Sequence, residues 1–439
     1  MSRSSEQAFG KSETDVFAPV KLQVALEEGR WYTYNPQNPI NADSLDFTIA
    51  GNNEEMIDMN NISFFVAGKI TRNDGNNLAA ADDVMFVNNA LGSMIKHIAV
   101  SINKQLITPT ISDYAYKDYI RKVTLYDMSR DGVQQATFGF YPDTPNHADK
   151  MAGAENKGSK PRKSMISESK RFELRDTLSV DMFETERLLV SDADITMKIF
   201  FNEPKFFLMS PTDNASYKLS LEEAVLYVRK VRVTPSILNE IDARLNKEPA
   251  LYPFIRREIT SYNIPTGFST FKQENIFRGQ LANRYFVFLV DNGACQGDYK
   301  QNPYLLKDYN LSQVGLFENG QNIAGDVYEL DIGKHKSLNV YYQLLESIGA
   351  AGERATYVPI TYEDFKSHTT IFCFTRSPDL SNGDDETVLP DRAANVTLKI
   401  SFHDNTTRAL TCYIIGEFFA RVEIRGSGKE KAITTDFPV

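Results

Sequence analysis

The chain has 439 residues, of which 42% are hydrophobic and 24% charged, so it can build cores for two or three domains and global disorder is excluded. The net charge of −10 opposes non-specific binding of nucleic acid by the whole surface. The N-terminal residues include no apolar stretch, and no run of 18 apolar residues occurs, so we expect neither a signal peptide nor a membrane span. The aromatic excess, 28 Phe and 21 Tyr against one Trp, favours β-structure.

The first part of the chain is predicted to form short strands. Residues 1–16 are polar and are interpreted as an N-terminal arm. From Phe17 onward, β-rich runs alternate with Gly, Asn and Pro, which predicts strands at residues 20–26, 31–34, 45–49 and 62–66.

A hairpin followed by a helix is predicted within residues 95–127. Residues 98–109 form a β-run, a polar turn at 103–105 and a second short run. Ser112 is then placed to cap an amphipathic helix. Its helix-spaced apolar positions are Tyr116, Tyr119, Ile120 and Val123.

Residues 128–171 are polar and rich in Pro and Gly, which predicts a long surface loop. This loop carries a basic run: Lys157, Lys160, Arg162 and Lys163. Residues 174–190 return to strand or mixed structure, and a strand follows at 195–201. A polar, Pro-containing segment near 202–216 marks a boundary, so the first unit is predicted to span residues 17–205.

The second unit, residues 206–425, is predicted to open with a strand at 224–233. Thr234 is placed as the N-cap of a helix, with Pro235 at its first position. The apolar stripe of that helix is Ile237, Ile241 and Leu245.

Further strands of the second unit are predicted at 254–261, 285–290 and 368–375. A second hairpin, residues 314–325, precedes a helix that begins after Ser337. The apolar positions of that helix are Leu338, Tyr341, Tyr342 and Leu345. Residues 376–394 form an acidic loop, and 426–439 are interpreted as a C-terminal arm. The long last strand places six residues on one parity (Leu410, Cys412, Ile414, Phe418, Val422 and Ile424) and polar residues on the other (Thr411, Glu417, Arg421 and Glu423).

Two pairs of segments repeat in the same order about half a chain apart. The hairpin-helix at 98–109 matches that at 314–325, and the strand at 195–201 matches that at 396–402 position by position. A slip of one residue would turn every side chain to the opposite face, so the matched parity is informative. One such pair has a simpler interpretation, because short strands resemble one another. Two pairs favour duplication. Together with strands at short intervals and few helices, they predict an all-β fold of two units in tandem, each a β-sandwich or jelly roll.

No recognisable active site, metal site or cofactor site emerges from the residues. Cys295, Cys373 and Cys412 form no pairing motif, and Cys412 is expected to be a buried free thiol. The histidines are scattered without the spacing of a zinc site: His97, His147, His335, His368 and His403. Catalytic triads stay open on spacing alone, but there is no Gly-X-Ser-X-Gly turn.

Other candidate motifs have simpler interpretations. Residues 425–429 resemble half of a phosphate-binding loop but follow a strand with no helix behind it. Asp192 with Asp194, and Asp384 with Asp385, lack the Gly of a calcium loop and are interpreted as solvated acids. The basic run at 157–163 has no interleaved aromatic residues, so it is interpreted as a solvated loop.

Several segments resemble the major capsid proteins of Polinton/Maverick and adintovirus type. In the second half these are residues 217–254, 275–284 and 297–303. In the first half, residues 106–109 leading to 116–119, and 172–175 leading to 188–190, fit the same pattern. The resemblance covers most of residues 90–345 and is weak in the first 90.

The resemblance implies an all-β double jelly-roll protein of the adenovirus-like lineage, with two tandem eight-stranded jelly rolls, short flanking helices and long inter-strand loops. It implies homotrimeric, pseudo-hexameric capsomers of an icosahedral double-stranded DNA virus. It implies a virion location, assembly inside the host cell, and neighbouring capsomers, penton and cement proteins as partners. It implies neither catalysis nor sequence-specific binding of nucleic acid. The long loops would form surface towers. Two alternatives stay open: a carbohydrate-binding or carbohydrate-active β-sandwich, and a minor capsid protein at the vertices.

Overall fold

The computed structural model describes residues 23–108, 113–125, 135–151, 155–351, 360–377, 393–426, 428–429 and 431–437. The predicted arm at 1–16, Ser112 and most of the acidic loop, including Asp384 and Asp385, lie outside these residues. No helix in the described ranges is both long and apolar enough to cross a membrane.

The strands of the N-terminal half form one sandwich. They are β1 (Leu26–Tyr34), β2 (Ser44–Ile49), β3 (Glu55–Arg72), β4 (Met85–Phe86), β5 (Ile95–Ile102), β6 (Gln105–Leu106), β7 (Phe172–Thr177), β8 (Ile195–Phe201), β9 (Leu208–Met209) and β10 (Tyr217–Val233). One sheet has the order β1–β10–β3–β7, the facing sheet has the order β2–β8–β5–β6, and β4 pairs with β9.

The C-terminal half forms a second sandwich. Its strands are β11 (Ala250–Ile264), β12 (Thr270–Gln273), β13 (Arg284–Asp291), β14 (Leu311–Glu318), β15 (Gln321–Asn322), β16 (Tyr328–Glu329), β17 (Phe372–Thr375), β18 (Val396–Phe402), β19 (Leu410–Arg425) and β20 (Ala432–Thr435). Its sheets have the orders β11–β19–β13–β17 and β12–β18–β14–β15, with β16 added on β14 and β20 on β19.

Both sandwiches have the same topology when their eight principal strands are numbered along the chain. In each, the first, eighth, third and sixth strands form one sheet, and the second, seventh, fourth and fifth form the other. This is the strand order of a jelly roll, in which a long antiparallel hairpin folds over on itself. The prediction of two tandem jelly rolls is therefore confirmed.

Short helices lie in the connections. The α-helices of the described residues are α1 (Ala90–Met94), α2 (Tyr114–Leu125), α3 (Ser159–Ser164), α4 (Pro204–Phe207), α5 (Pro235–Leu245), α6 (Asn292–Gln296), α7 (Leu338–Ser347) and α8 (Tyr362–Ser367). Single 3-10 turns occur at Gln135–Phe138, Ser167–Ser169, Asp181–Glu184, Ile276–Gly279 and Ile332–Lys334.

The repeated segments occupy equivalent places. β5–β6 and β14–β15 are the fourth-to-fifth strand hairpins, and α2 and α7 follow them in the same connection. β8 and β18 are both seventh strands, and their matched positions Ile195, Met197 and Ile199 are buried like those of β18. The parity argument from the sequence is thus confirmed at these strands.

The predicted start of the second unit at residue 206 does not coincide with the strand pairing. β10 is hydrogen bonded to β1 on one side and to β3 on the other, in the middle of a sheet of the first sandwich. The reason is topological, since the eighth strand of a jelly roll returns between its first and third strands. We propose that the division falls after Val233, at α5.

Other predicted elements differ in detail. Thr234 occupies the N-cap position of α5, but its side chain makes no capping hydrogen bond to the helix. Its hydroxyl instead donates to the carbonyl oxygen of Val24 at 2.8 Å. The C-terminal arm is folded back in part, because β20 pairs with β19 from Val422↔Thr435 to Arg425↔Ala432. Buried apolar side chains of both sandwiches belong to one continuous cluster, so no solvent layer separates the two halves.

Candidate assembly site at the junction of the two sandwiches

Helix α2 lies between the two sandwiches. In the span 114–124, every residue is buried except Arg121, which is half-buried. A helix on a protein surface keeps a polar face in water, so burial around the whole circumference means that α2 is covered from both sides.

The side of α2 toward the first sandwich is held by a buried ion cluster. Lys122 Nζ lies 2.8 Å from Asp118 Oδ2, 2.6 Å from Asp176 Oδ2 on β7 and 2.9 Å from Asn89 Oδ1. Burial favours the neutral amine, but the two carboxylates raise the pKa of Lys122 above its usual value. Burial also favours a protonated Asp118, yet Lys122 holds the pKa of that carboxyl below its usual value. Lys122 is therefore a buried cation shared by two acids.

The other side of α2 packs on aromatic residues of the second sandwich. Tyr119 stacks on Tyr304 with ring centroids 4.1 Å apart and planes 9° from parallel. Tyr116 lies 4.5 Å from the ring of Tyr413 on β19 and 5.9 Å from that of Phe288 on β13. Stacks of this kind contribute about 0.5–1.5 kcal/mol each beyond the area that they bury.

A second buried ion cluster surrounds Glu417 on β19. Arg284 Nε of β13 lies 2.6 Å from Glu417 Oε2, and Arg257 Nε of β11 lies 2.9 Å from Glu417 Oε1. Burial favours the protonated acid, but the two guanidinium groups hold the pKa of Glu417 at about 2. Glu417 is therefore ionised across the physiological pH range.

The first sandwich supplies acids to the same cluster. Asp181 Oδ2 accepts a hydrogen bond from the backbone nitrogen of Arg257 at 2.8 Å, and Glu184 Oε1 lies 2.7 Å from Arg257 Nη1. From α2, Lys117 Nζ lies 3.3 Å from Asp181 Oδ2, and Arg121 Nε lies 2.9 Å from Glu184 Oε1. The network thus links both sandwiches through paired charges, and removing one partner would leave an uncompensated buried charge.

The strands under α2 are buried on both faces where the two sandwiches meet. All residues of β13 except Asp291 are buried, and so are the first nine residues of β19, on both faces of the sheet. Beyond Phe418, β19 changes to alternating burial. Burial on both faces is what a sheet shows where a second layer covers its outer side.

A cleft of about 230 Å³ opens beside the N-terminus of α2. Asp113, Glu203, Lys205 and Cys295 are among its lining residues. Burial raises the pKa of the Cys295 thiol, and Lys205 Nζ lies 2.9 Å from Glu203 Oε2. The thiol is thus kept protonated, which is the unreactive form. The arrangement does not form an activated nucleophile.

The prediction that the basic run is a solvated loop is wrong for Arg162. Its guanidinium is fully buried, pairs with Asp143, and donates from Nε to the carbonyl oxygen of Gly158 at 2.9 Å. Lys163 Nζ lies 2.7 Å from Asp83 Oδ1, whereas Lys157 and Lys160 are exposed. The segment around Arg162 is therefore packed on polar partners of its own half, because a buried charge is stabilised by an opposite charge such as Asp143.

The other residues singled out in the sequence are dispersed. Cys412 is buried and free as predicted, and Cys373 is buried as well. Asp194 accepts a hydrogen bond from the backbone nitrogen of Gly51 at 2.8 Å, which makes it a structural loop residue. Within the described ranges, no three His, Cys, Asp or Glu side chains are grouped so as to hold a metal ion.

Sequence reasoning named several junction residues, among them Tyr116, Tyr119 and Glu417, but did not predict that they join the two sandwiches. Glu417 was placed on the polar parity of the last strand, and its parity is right, but that face is covered by the first sandwich. The sequence does contain a signal of this burial, because Tyr413, Ile415 and Phe419 share the parity of Glu417. Apolar residues on both parities of a strand indicate burial on both faces.

The fold and junction define the class of molecule as a double jelly roll, and solved structures of that class match it. The cryo-EM structure of the Sputnik virophage includes a chain with a TM-score of 0.65 and 12% identity, over 98% of this chain and 93% of that one. The crystal structure of the mavirus major capsid protein has a TM-score of 0.56 and 11% identity, over 100% of this chain and 95% of that one. The Faustovirus major capsid protein has a TM-score of 0.56 and 9% identity, over 93% of each chain.

At the level of sequence, an uncharacterized protein of Caenorhabditis elegans is 23% identical over 408 residues, which cover 90% of this chain and 95% of that protein. No protein-family model matches the chain. The chain therefore has the fold of double jelly-roll major capsid proteins.

Proposed function

We propose that the chain is a major capsid protein whose homotrimers form pseudo-hexameric capsomers of an icosahedral double-stranded DNA virus shell. The observation that carries the proposal is the same eight-strand order occurring twice in one chain, with the two copies fixed to each other by α2 and the Glu417 cluster. Three such chains around a threefold axis present six similar wedges, and six similar wedges tile a surface through repeated contacts.

The role proposed is structural. Buried ion pairs at the junction hold the two sandwiches in one orientation, which a tiling unit requires. Its proposed partners are further copies of itself, neighbouring capsomers, and penton and cement proteins, and its proposed place is the virion. The Polinton or adintovirus lineage remains part of this proposal, supported by the segments in residues 90–345 that resemble that type.

The proposal is tested on the full chain by mass photometry and negative-stain imaging. We expect a particle of three times 49.6 kDa with a hexagonal outline. A stable monomer at micromolar concentration overturns the proposal. A pentamer would favour the vertex-protein alternative, and a monomer stabilised against heat by sugars would favour the carbohydrate-binding alternative.

A further inference from the structure

His368 is a buried histidine at the C-terminal end of α8, with 7% of its surface exposed. Its Nδ1 lies 2.7 Å from the hydroxyl oxygen of Ser367, and its Nε2 lies 4.0 Å from Asp364 Oδ1. Because burial favours the neutral ring over the imidazolium, the pKa of His368 is below its ordinary value. The ring is therefore uncharged at neutral pH.

Charged groups from both sandwiches face this ring. Asp143 and Arg162 come from the connection between β6 and β7, whereas Asp364 and Lys307 come from connections of the second sandwich. The two acids favour a protonated ring, and the two cations oppose it. Asp143 is already paired with Arg162, and Nη1 of Arg162 has no hydrogen-bond partner within the described residues. A proton on His368 therefore adds a positive charge to a buried site that already holds a guanidinium, which is costly away from water.

The backbone around His368 is tied to the segment at 302–309. The carbonyl oxygen of His368 accepts a hydrogen bond from the backbone nitrogen of Leu306 at 3.0 Å, and the carbonyl oxygen of Leu306 accepts one from Thr370 at 2.9 Å. Thr369 and Leu306 form an isolated parallel bridge. Residues 302–309 are thus held in place by the segment that carries the buried histidine.

The segment at 302–309 in turn contacts the first sandwich. Asn302 Nδ2 donates a hydrogen bond to the carbonyl oxygen of Ala148 at 2.8 Å. Tyr304 supplies the ring that stacks on Tyr119 of α2. The segment is therefore a direct link between the two halves of the chain, and it extends the junction beyond α2.

We propose that His368 is an acid-sensitive latch of the junction, which holds residues 302–309 on the first sandwich while its ring is neutral and releases them when the ring is protonated. Histidine suits this role because its charge changes between about pH 5 and 8. A neutral and a charged ring at one buried position give the segment two states with different contacts to the first sandwich. The latch lies within one chain, so it goes beyond the proposed structural role and does not depend on trimer formation.

The direction of the pH effect follows from where the proton binds more strongly. In the released segment the ring is solvated, with a pKa near the ordinary value of 6.5, whereas in the closed junction the pKa is lower because the ring is buried. The released state therefore takes up the proton first. The contribution of the latch is fully present above about pH 6.5 and is lost as the pH falls below that value.

The first test is hydrogen exchange of backbone amides, measured by mass spectrometry on the full chain from about pH 7.5 to about pH 5 and corrected for the intrinsic pH dependence of exchange. Over this range we expect the opening equilibrium of residues 302–309 to rise at least about fivefold more in wild type than in His368→Asn. The amide of Asn can keep the hydrogen bond to Ser367 but does not titrate. The matched control is His335→Asn, since His335 is exposed, and we expect it to open like wild type.

A second variant leaves His368 in place and changes one of its charged neighbours. Lys307→Met removes a cation that opposes protonation of the ring, so the closed junction tolerates the charged ring better. We therefore expect the acid-induced opening of residues 302–309 to be smaller in Lys307→Met than in wild type. Each variant is compared with itself at about pH 7.5, where the ring is neutral.

The outcomes separate this proposal from the proposed function. Opening of residues 302–309 that rises equally in wild type and His368→Asn overturns the latch, and so does a wild-type segment that stays closed down to about pH 5. A wild-type chain that is monomeric but opens with acid only when His368 is present overturns the proposed function and supports the latch.

Discussion

The two buried ion clusters on either side of α2 have different roles. Lys122 with Asp118 and Asp176 joins the helix to its own sandwich. In the second cluster Arg257, which pairs with Glu417 of its own sandwich, also pairs with Asp181 and Glu184 and so joins one sandwich to the other. In the first cluster one cation serves two acids, and in the second one acid serves two cations. A helix buried on both sides therefore carries paired charges toward each neighbour, which fixes its orientation because each charge has few acceptable partners.

Removing the cation of the first cluster is expected to have the largest effect. Lys122→Met leaves Asp118 and Asp176 facing each other without a counter-charge, and we expect a loss of about 3–5 kcal/mol in the free energy of unfolding. Urea denaturation followed by far-UV circular dichroism measures this loss. The control is Lys163→Met, whose ammonium pairs with Asp83 at a partly exposed site, with an expected loss of about 0.5 kcal/mol. Equal losses in the two variants would contradict the assignment of Lys122 as a shared buried cation.

The second cluster is expected to show itself in the dependence of stability on pH. The folded-state pKa of Glu417, about 2, lies below the ordinary value of 4.5, so its contribution is fully present above about pH 4.5 and is lost as the pH falls toward 2. The size expected from this difference is about 3 kcal/mol.

The variant Glu417→Gln tests whether this pH dependence comes from Glu417. We expect the difference in unfolding free energy between wild type and Glu417→Gln to shrink as the pH falls from about 5 to about 2.5. Glu423→Gln on the same strand, where the side chain is partly exposed, serves as the control. A difference that stays constant over this range would show that Glu417 does not titrate as the junction geometry requires.

The smallest expected effect concerns the aromatic contact between the sandwiches. A double-mutant cycle with Tyr119→Leu and Tyr304→Leu should give a coupling energy of about 0.5–1.5 kcal/mol, because the two rings stack directly. Thermal or urea unfolding of the four proteins provides the measurement. A coupling energy near zero would mean that the two rings contribute only the apolar area that each buries.

The repeated topology was accessible from the sequence because its signals are local. Alternation in residues 195–201 and 396–402 fixes which side chains face the core, and the turn residues at 103–105 and 319–321 fix the hairpins. The place of β10 was not accessible, since β-branched residues at 224–233 predict a strand but not its neighbours. Pairing between the eighth, first and third strands joins residues far apart in the chain, and no local pattern encodes it.

The junction was largely hidden for a related reason. Asp181, Arg257 and Glu417 come from three distant segments. Each is a charged residue that, judged by its residue type alone, would be expected in solvent. Arg162 shows the same limit inside one loop, because its partner Asp143 lies 19 residues away. Long-range burial of charge follows from the assembled fold and not from the neighbourhood of each residue in the sequence.

The large apolar cluster shared by both halves has a consequence for the evolution of such chains. Two sandwiches joined by a common interior do not vary independently, because a change in volume at Tyr116 must be accommodated by Tyr413 of the other sandwich. Halves taken from distantly related chains should therefore be poor replacements for one another, and inheritance should favour the undivided chain.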